Sequence, residues 1–500
     1  MDPMTANLLT RRKMMLASTA TLAGSAGLLH AQTTAPSATH HAERQQHPST
    51  DAQGRPYTDQ HWDRPGEPGR DYTPVVVPNG WTLPHRIVDG VKVFHLVAGE
   101  VPNHEFAPGL VAHCWGYNGS VHGPAIEAVE GDRIRIYVTN RLPAPTTIHW
   151  HGILLPSGMD GVGGLSQPNI PPGQTCVCEF TLRQNGTHFY HPHHDEMTQM
   201  ALGMMGLFII HPRQPQEPRI DREFAIMLNE WRIDPGTYRP NPNEMIDFNL
   251  LTFNAKAFPG TAPLVARLGQ RIRIRLANGS ATNHHPIHLH GYQFWITGSD
   301  GGRYPESAQQ PDTTVLVPVG SARDIEFVAD EPGDWAMHCH MTHHTMNQMG
   351  HNFPNMIGVD ARGLDSKIKQ LLPAYMTMGQ TGMGDMGEML ASGHMKVPEN
   401  SIPMIGGRGP FDYITMGGMF TVLKVRPDLQ SFEDPGWHDH PQGTVAWQPR
   451  PAELQRDSIA ANGSSAPTAP DSARRSSRIA PPPPGRGPAG GRQEPPRGHH

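Results

Sequence analysis

One order of short motifs is laid down twice in this chain, and that repeat limits the fold more than any other feature. Residues 131–140 (GDRIRIYVTN) recur as residues 269–278 (GQRIRIRLAN). His149-Trp150-His151-Gly152 recurs as His288-Leu289-His290-Gly291, and His191-Pro192-His193 recurs as His338-Cys339-His340. The first motif alternates apolar and polar residues with the period of a half-buried strand, and short β-branched runs broken by Gly, Pro and Asn surround it. An all-β chain with two copies of one β-sandwich domain is expected, over residues 74–213 and 214–360. In the first copy Pro192 stands where Cys339 stands in the second, so only the second offers a thiolate at that place.

The histidines form four His-x-His pairs: His149 with His151, His191 with His193, His288 with His290, and His338 with His340. Alternate side chains of an extended strand share a face, so each pair aims two imidazoles one way and its middle residue the other. Cys339 therefore faces away from His338 and His340. His344 and Met349 follow Cys339, and His285 lies upstream. Two imidazoles, one thiolate and a weak thioether are the ligand list of a blue-copper electron-transfer site. A backbone path of roughly 10 Å then joins this site to the imidazoles on the other face. An electron arriving at Cys339 can leave through His338 or His340.

Both ends of the 500 residues look unlike folded protein. Thr10-Arg11-Arg12-Lys13 precedes an apolar, small-residue run, so residues 1–31 read as a twin-arginine export signal and not as a stable membrane span. Export to the periplasm or the medium follows. Residues 32–73 are polar, Pro-rich and His-rich, as in a linker. Residues 361–428 form an extension in which Met376, Met378, Met383, Met386, Met389 and Met395 are spaced largely by Gly, Thr and Asp, and in which residues 411–425 resemble a further strand or two. Residues 429–500 read as a Pro/Gly-rich disordered tail. Of four cysteines, Cys339 is taken by the metal, and Cys176 and Cys178 share one strand face; at most one bridge, from Cys114, is left. A net charge of -6 without a basic stripe gives no case for nucleic acid.

Over about residues 110–360 the chain resembles the multicopper oxidases, the laccase-like family. Beyond the histidines, the match includes Asn118-Gly119 through Gly123-Pro124, Gly131-Asp132, Asp160-Gly161, Gln167, Pro172-Gly173 and His285-Pro286-Ile287-His288. The resemblance implies two tandem cupredoxin-like Greek-key sandwiches with a partly disordered C-terminal extension, and four coppers per chain. It assigns type 1 copper to His285, Cys339, His344 and axially Met349, with Met346 as a competitor. It assigns type 2 copper to His149 and His288, and the type 3 pair to His151, His191, His193, His290, His338 and His340. Asp160 resembles the acid that supplies protons to the three-metal cluster, although an Asp before Gly161 is also an ordinary turn former. Thr342 stands where several members carry an acid, which would shift proton delivery to Asp160, or to Asp195 or Glu196.

The interval from His193 to His285 has no room for an intervening domain of ~100 residues as well as flanking strands. The chain therefore resembles a two-domain member, a type whose three-metal site lies between one subunit and the next. Head-to-tail contacts of that kind must close into a ring, here a homotrimer. The implied activity couples four one-electron oxidations of a phenol or aromatic amine to reduction of dioxygen to two waters. A metallo-oxidase acting on Cu(I) or Mn(II) is the second expectation, because thioethers are soft ligands. A copper-storage protein needs no electron-transfer thiolate, and a copper nitrite reductase needs no four histidine pairs; both are weaker readings.

Overall fold

The repeated strand folds alike in both copies and is used differently. In Arg133–Asn140, Ile134, Ile136 and Val138 are buried while Arg133, Arg135, Tyr137 and Thr139 face outward, as a half-buried strand requires. In Arg271–Asn278 the outward residues Arg273 and Arg275 are buried as well. The second copy must therefore be covered on both sides.

A computed structural model of the chain describes residues 64–348 and 398–462, with short stretches at 355–356, 363, 365–371, 376–377 and 392. All of these lie within the unit Thr50–His500. The first sandwich stacks a five-stranded sheet (Arg86–Val88, Val91–Ala107, Arg133–Asn140 and Thr175–Thr181, with Leu110–Tyr117) on a four-stranded one. The latter runs Ile126–Val129, β3 (Gly206–His211), β2 (Gly186–His191), β1 (His149–His151). Phe94, Leu96, Ile134 and Ile136 from one sheet meet Ile126, Trp150, Tyr190 and Phe208 from the other. The second sandwich stacks a seven-stranded sheet, which includes Arg222–Trp231, Arg271–Asn278 and Ala322–Val328, on a five-stranded one. Its order is Leu264–Arg267, β7 (Phe420–Arg426), β6 (Gly333–Cys339), β4 (His285–Leu289), β5 (Thr314–Val317). Each sandwich has the same two parallel pairings: Val91–Ala107 with Arg133–Asn140 and Ile126–Val129 with β3, then Arg222–Trp231 with Arg271–Asn278 and Leu264–Arg267 with β7. Parallel neighbours need crossover connections, so both domains share one cupredoxin-like topology.

The cover on Arg271–Asn278 is the first domain. Phe189, Leu207 and Ile209 from β2 and β3 pack on Ala225, Met227, Ala277 and Ala322. Beside them Glu223 bridges Arg273 (3.1 Å) and Arg275 (2.8 Å), Arg275 reaches Asp324 (3.2 Å), and Thr187 of the first domain donates to Asp324 (2.6 Å). Burial alone would raise the Glu223 carboxyl; Arg275 and Arg273 outweigh it and hold it at about 2, below the ordinary 4.5. Because the folded value is depressed, this stabilisation is complete above about pH 4.5 and is lost as pH falls through 2. Glu223→Gln is expected to cost about 3–5 kcal/mol at pH 7 by leaving buried guanidiniums under-compensated. It should also flatten the acid limb of the urea midpoint against pH. A parent-like midpoint and acid limb would remove the network from the stability of the interface.

Three sequence-based boundaries move. The linker does not run to residue 73: Gly66 N–H donates to Asp132 (2.9 Å) and Tyr72 stacks on His211 (4.1 Å). The second sandwich does not end at residue 360, because β7 lies between β6 and Leu264–Arg267 in its sheet. The tail is not loose from residue 429, because Lys424 binds Asp434 (2.6 Å) and His438 N–H donates to Asp334 (2.7 Å). The export signal, most of the methionine-rich stretch and residues 463–500 lie outside the described residues. All four cysteines are free thiols, and Cys114 sits in a different apolar cluster from Cys178, so the single bridge considered from sequence is not formed. No helix among the described residues is long and apolar enough to cross a membrane.

Candidate metal centres

β4 and β6 are antiparallel neighbours in which Ile287 faces Cys339 and His288 faces His338. Strand alternation then divides the ligands between the two sides of one sheet. Cys339 and His285 turn inward, both 0% exposed, and the short turn Thr342–Thr345 brings His344 back to them. Cys339 Sγ lies 3.4 Å from His344 Nδ1 and 3.7 Å from His285 Nδ1, and the two imidazole nitrogens are 3.2 Å apart. Ser280 Oγ, 2.7 Å from His285 Nε2, fixes that ring from behind. Burial drives His285 down to about 3 and His344 to about 4, so both are neutral donors. Burial also pushes the Cys339 thiol up to about 12, so the thiolate needs a cation beside it. Two neutral imidazoles and such a thiol, converging inside an apolar core, fit a soft, thiophilic ion such as copper.

His288, His290, His338 and His340 lie on the other side. His288 has ring centroids 4.7 Å from His290, 5.8 Å from His338 and 5.6 Å from His340. The Nε2 atoms of His290 and His338 approach to 3.1 Å. Backbone carbonyls hold the remote nitrogens: Thr313 O takes His288 Nδ1 at 2.7 Å, and Cys339 O takes His338 Nδ1 at 2.9 Å. The first sandwich repeats this on β1 and β2. His149 lies 5.6, 5.3 and 5.6 Å from His151, His191 and His193, and His151 Nδ1 is 3.3 Å from His191 Nε2. Burial lowers His191 to about 3. Phe189 stacks on His151 at 4.2 Å.

The two outer groups do not meet in one chain. β1 and β2 belong to the sheet that packs on the seven-stranded sheet, whereas β4 and β6 carry their outer histidines on the five-stranded sheet. Both layers of the second sandwich lie between them. Among the described residues no ring contact joins the groups; His151 instead lies within 3.7 Å of where a side chain on Gly320 would begin.

Asp160 accepts from His149 Nδ1 through its carbonyl at 2.7 Å, with its carboxylate at 3.4 Å. Gly161, at φ +92, permits this, because a Cβ there would collide with Ile148 O. Glu196 lies 3.6 Å from His191 and 3.7 Å from His193, whereas neighbouring Asp195 starts the short helix Glu196–Ala201. Thr342 is exposed in the turn after His340. Met349 lies outside the described residues. In the sequence Glu196 is one of three acids available for proton delivery, and its place three residues after His193 is the signal that singles it out.

Residues 101–215 and 234–358 each match a multicopper oxidase domain. The chain is 29% identical over 324 residues to copper resistance protein A of Escherichia coli, covering 55% of this chain and 51% of that protein. It is 32% identical over 248 residues to the multicopper oxidase MmcO of Mycobacterium tuberculosis, covering 43% and 47%. It thus spans about half the length of the curated relatives it matches. The solved blue copper oxidase of Nitrosomonas europaea is similar at 26% identity and a TM-score of 0.49, over 67% of this chain and 85% of that one. The two matched segments contain all eight paired histidines together with His285, Cys339 and His344. On that coincidence of domain match and ligand set, the chain belongs to the multicopper oxidase family.

Proposed function

We propose that this protein couples four one-electron oxidations of a small donor to reduction of dioxygen to two waters, with a laccase-like preference for phenols or aromatic amines. The observation that carries this is the adjacency in β6: Cys339 belongs to the inner group, and His338 beside it belongs to the outer one. Copper, when bound, would supply the one-electron couple at the inner group and the oxygen chemistry at the outer groups. Cys339 and its peptide links to His338 and His340 form the path between them. Buried His285 and Cys339 keep water out, while half-buried His344 offers an imidazole edge to the donor. Asp160 and Glu196 place carboxylates beside the first-domain histidines, where a proton relay to reduced oxygen needs them.

Each chain takes four coppers: one type 1 at His285, Cys339 and His344, one type 2 at His149 and His288, and a type 3 pair at the other six histidines. Because both layers of the second sandwich separate the outer groups, each first-domain group completes a set with the second-domain group of a neighbouring subunit, and the contacts close into a homotrimer. Export through the Arg11-Arg12 signal would deliver it to the periplasm or the medium.

A metallo-oxidase acting on Cu(I) or Mn(II) is the second reading. The similarity to copper resistance protein A and the soft thioethers of residues 376–395 favour it. Oxygen uptake should be compared with a phenol, Cu(I) and Mn(II), on the full chain and on one lacking residues 361–397 but retaining β7. Phenol turnover is expected to survive the deletion. Turnover of Cu(I) or Mn(II) but not of the phenol by the full chain would move the donor to the metal, and no uptake with any donor would reduce the protein to copper storage.

A further inference from the structure

β7 begins at Phe420, directly after Met419. The last rung between β6 and β7 sets His338 opposite Phe420, and the next position brings Met419 opposite Cys339, whose N–H donates to the Met419 carbonyl at 3.1 Å. Phe420 stacks on His338 on the outer face, with centroids 6.4 Å apart, so alternation turns Met419 inward, to the side of Cys339. Met419 is 0% exposed and lies in the apolar cluster that contains Cys339. Its N–H donates to the His344 carbonyl at 3.0 Å, which ties it to a second ligand. Side chains directly opposed on one face have Cβ atoms about 4.5–5.5 Å apart, well within reach of a thioether.

The first sandwich supplies an internal comparison. There Tyr190 faces Gly206, which sets Met204 opposite Pro192, the residue that replaces Cys339 in the repeat. Met204 follows Gly203 as Met419 follows Gly418, and both glycines have positive φ, +110 and +57. A Cβ on Gly418 would run into His344 O, so the turn that delivers Met419 requires glycine. The strand arrives soon after His193 in the first copy, whereas residues 341–419 separate His340 from β7 in the second. Both ends of that stretch are clamped at the site: Asn347 N–H donates to Met404 O (3.0 Å), Ile402 N–H to Gln348 Oε1 (2.7 Å) and Gly418 N–H to Asn347 Oδ1 (2.7 Å).

We infer that Met419, and not Met349 or Met346, is the axial thioether of the type 1 copper, so that the methionine-rich stretch is an insertion between the imidazole ligand His344 and the axial one. The inference rests on the reading of His285, Cys339 and His344 as a blue-copper site. Met337 also faces inward but lies opposite Thr421, on the side away from His285 and His344.

The test uses the full-length, copper-loaded protein, with reduction potential and electron paramagnetic resonance as readouts. Met419→Leu conserves volume, so the fold is kept. Loss of the soft donor leaves Cu(II) less well held, and the type 1 potential rises. Met419→Gln offers a harder oxygen, and the potential falls with a change in the resonance spectrum. Met349→Leu and Met346→Leu keep the parent's values. The assignment is overturned if Met419→Leu leaves the potential and spectrum of the parent, and more directly if Met349→Leu or Met346→Leu shifts them. A parent protein without a blue band or copper at Cys339 would instead overturn the type 1 reading on which the assignment rests.

Discussion

Cys339→Ser is expected to remove the blue absorption and bring oxidase turnover to background while the eight outer imidazoles keep their copper. In the proposed function the sulfur has two roles that a hydroxyl cannot fill: it is the strongest ligand of the inner group, and it begins the covalent route to His338 and His340. The outer histidines face the opposite side of the sheet, and the remote nitrogens of His288 and His338 are held by backbone carbonyls that the substitution leaves in place. Burying a hydroxyl in the apolar cluster around Cys339 costs about 1–3 kcal/mol, which a folded domain of this size tolerates. Metal analysis should fall from four coppers per chain to three. A variant that oxidises phenols at the parent rate would refute the electron route.

The second large effect concerns assembly. A chain with His151→Ala and His191→Ala has lost its first-domain group; a chain with His290→Ala and His338→Ala has lost its second-domain group. Each alone is expected to be inactive. Co-expressed, they should regain activity at roughly a quarter of the parent centres, because random mixing in a closed ring pairs the two intact halves at one interface in four. The physical reason is the double layer of sheet between β1 and β4, which no side-chain movement spans. Absence of recovery in a purified mixed oligomer, or an active and fully coppered monomer in sedimentation, would return the whole cluster to a single chain.

Much of this arrangement is legible in the sequence because the repeat and the strand period act together. His-x-His in a strand can only place its imidazoles on one face, and Cys339 between two histidines can only lie on the other; the contacts of Cys339 with His285 and His344 follow from that rule. Residues 131–140 and 269–278 announce two sandwiches on the same ground. The same pattern hides what depends on packing between domains. Arg273 and Arg275 read as outward, solvated residues, as Arg133 and Arg135 are, and only docking of the first domain buries them. Spacing and strand pairing point to different residues where chain is inserted. Counting onward from Cys339 reaches Met349, but strand pairing brings Met419 to Cys339 from much further along, and pairing across a long insertion leaves no mark in local periodicity.

The late position of β7 also orders the birth of the molecule. A ribosome that has released the first 360 residues has delivered every outer histidine, yet β6 then has a bare edge of unpaired N–H and C=O groups and Leu264–Arg267 has no neighbour. That half-built layer is an invitation to pair with another nascent chain. Shortening the gene product at residue 360 would therefore yield aggregates and not a trimmed enzyme, and stable loading of the blue site must wait until residue 426 has left the exit tunnel.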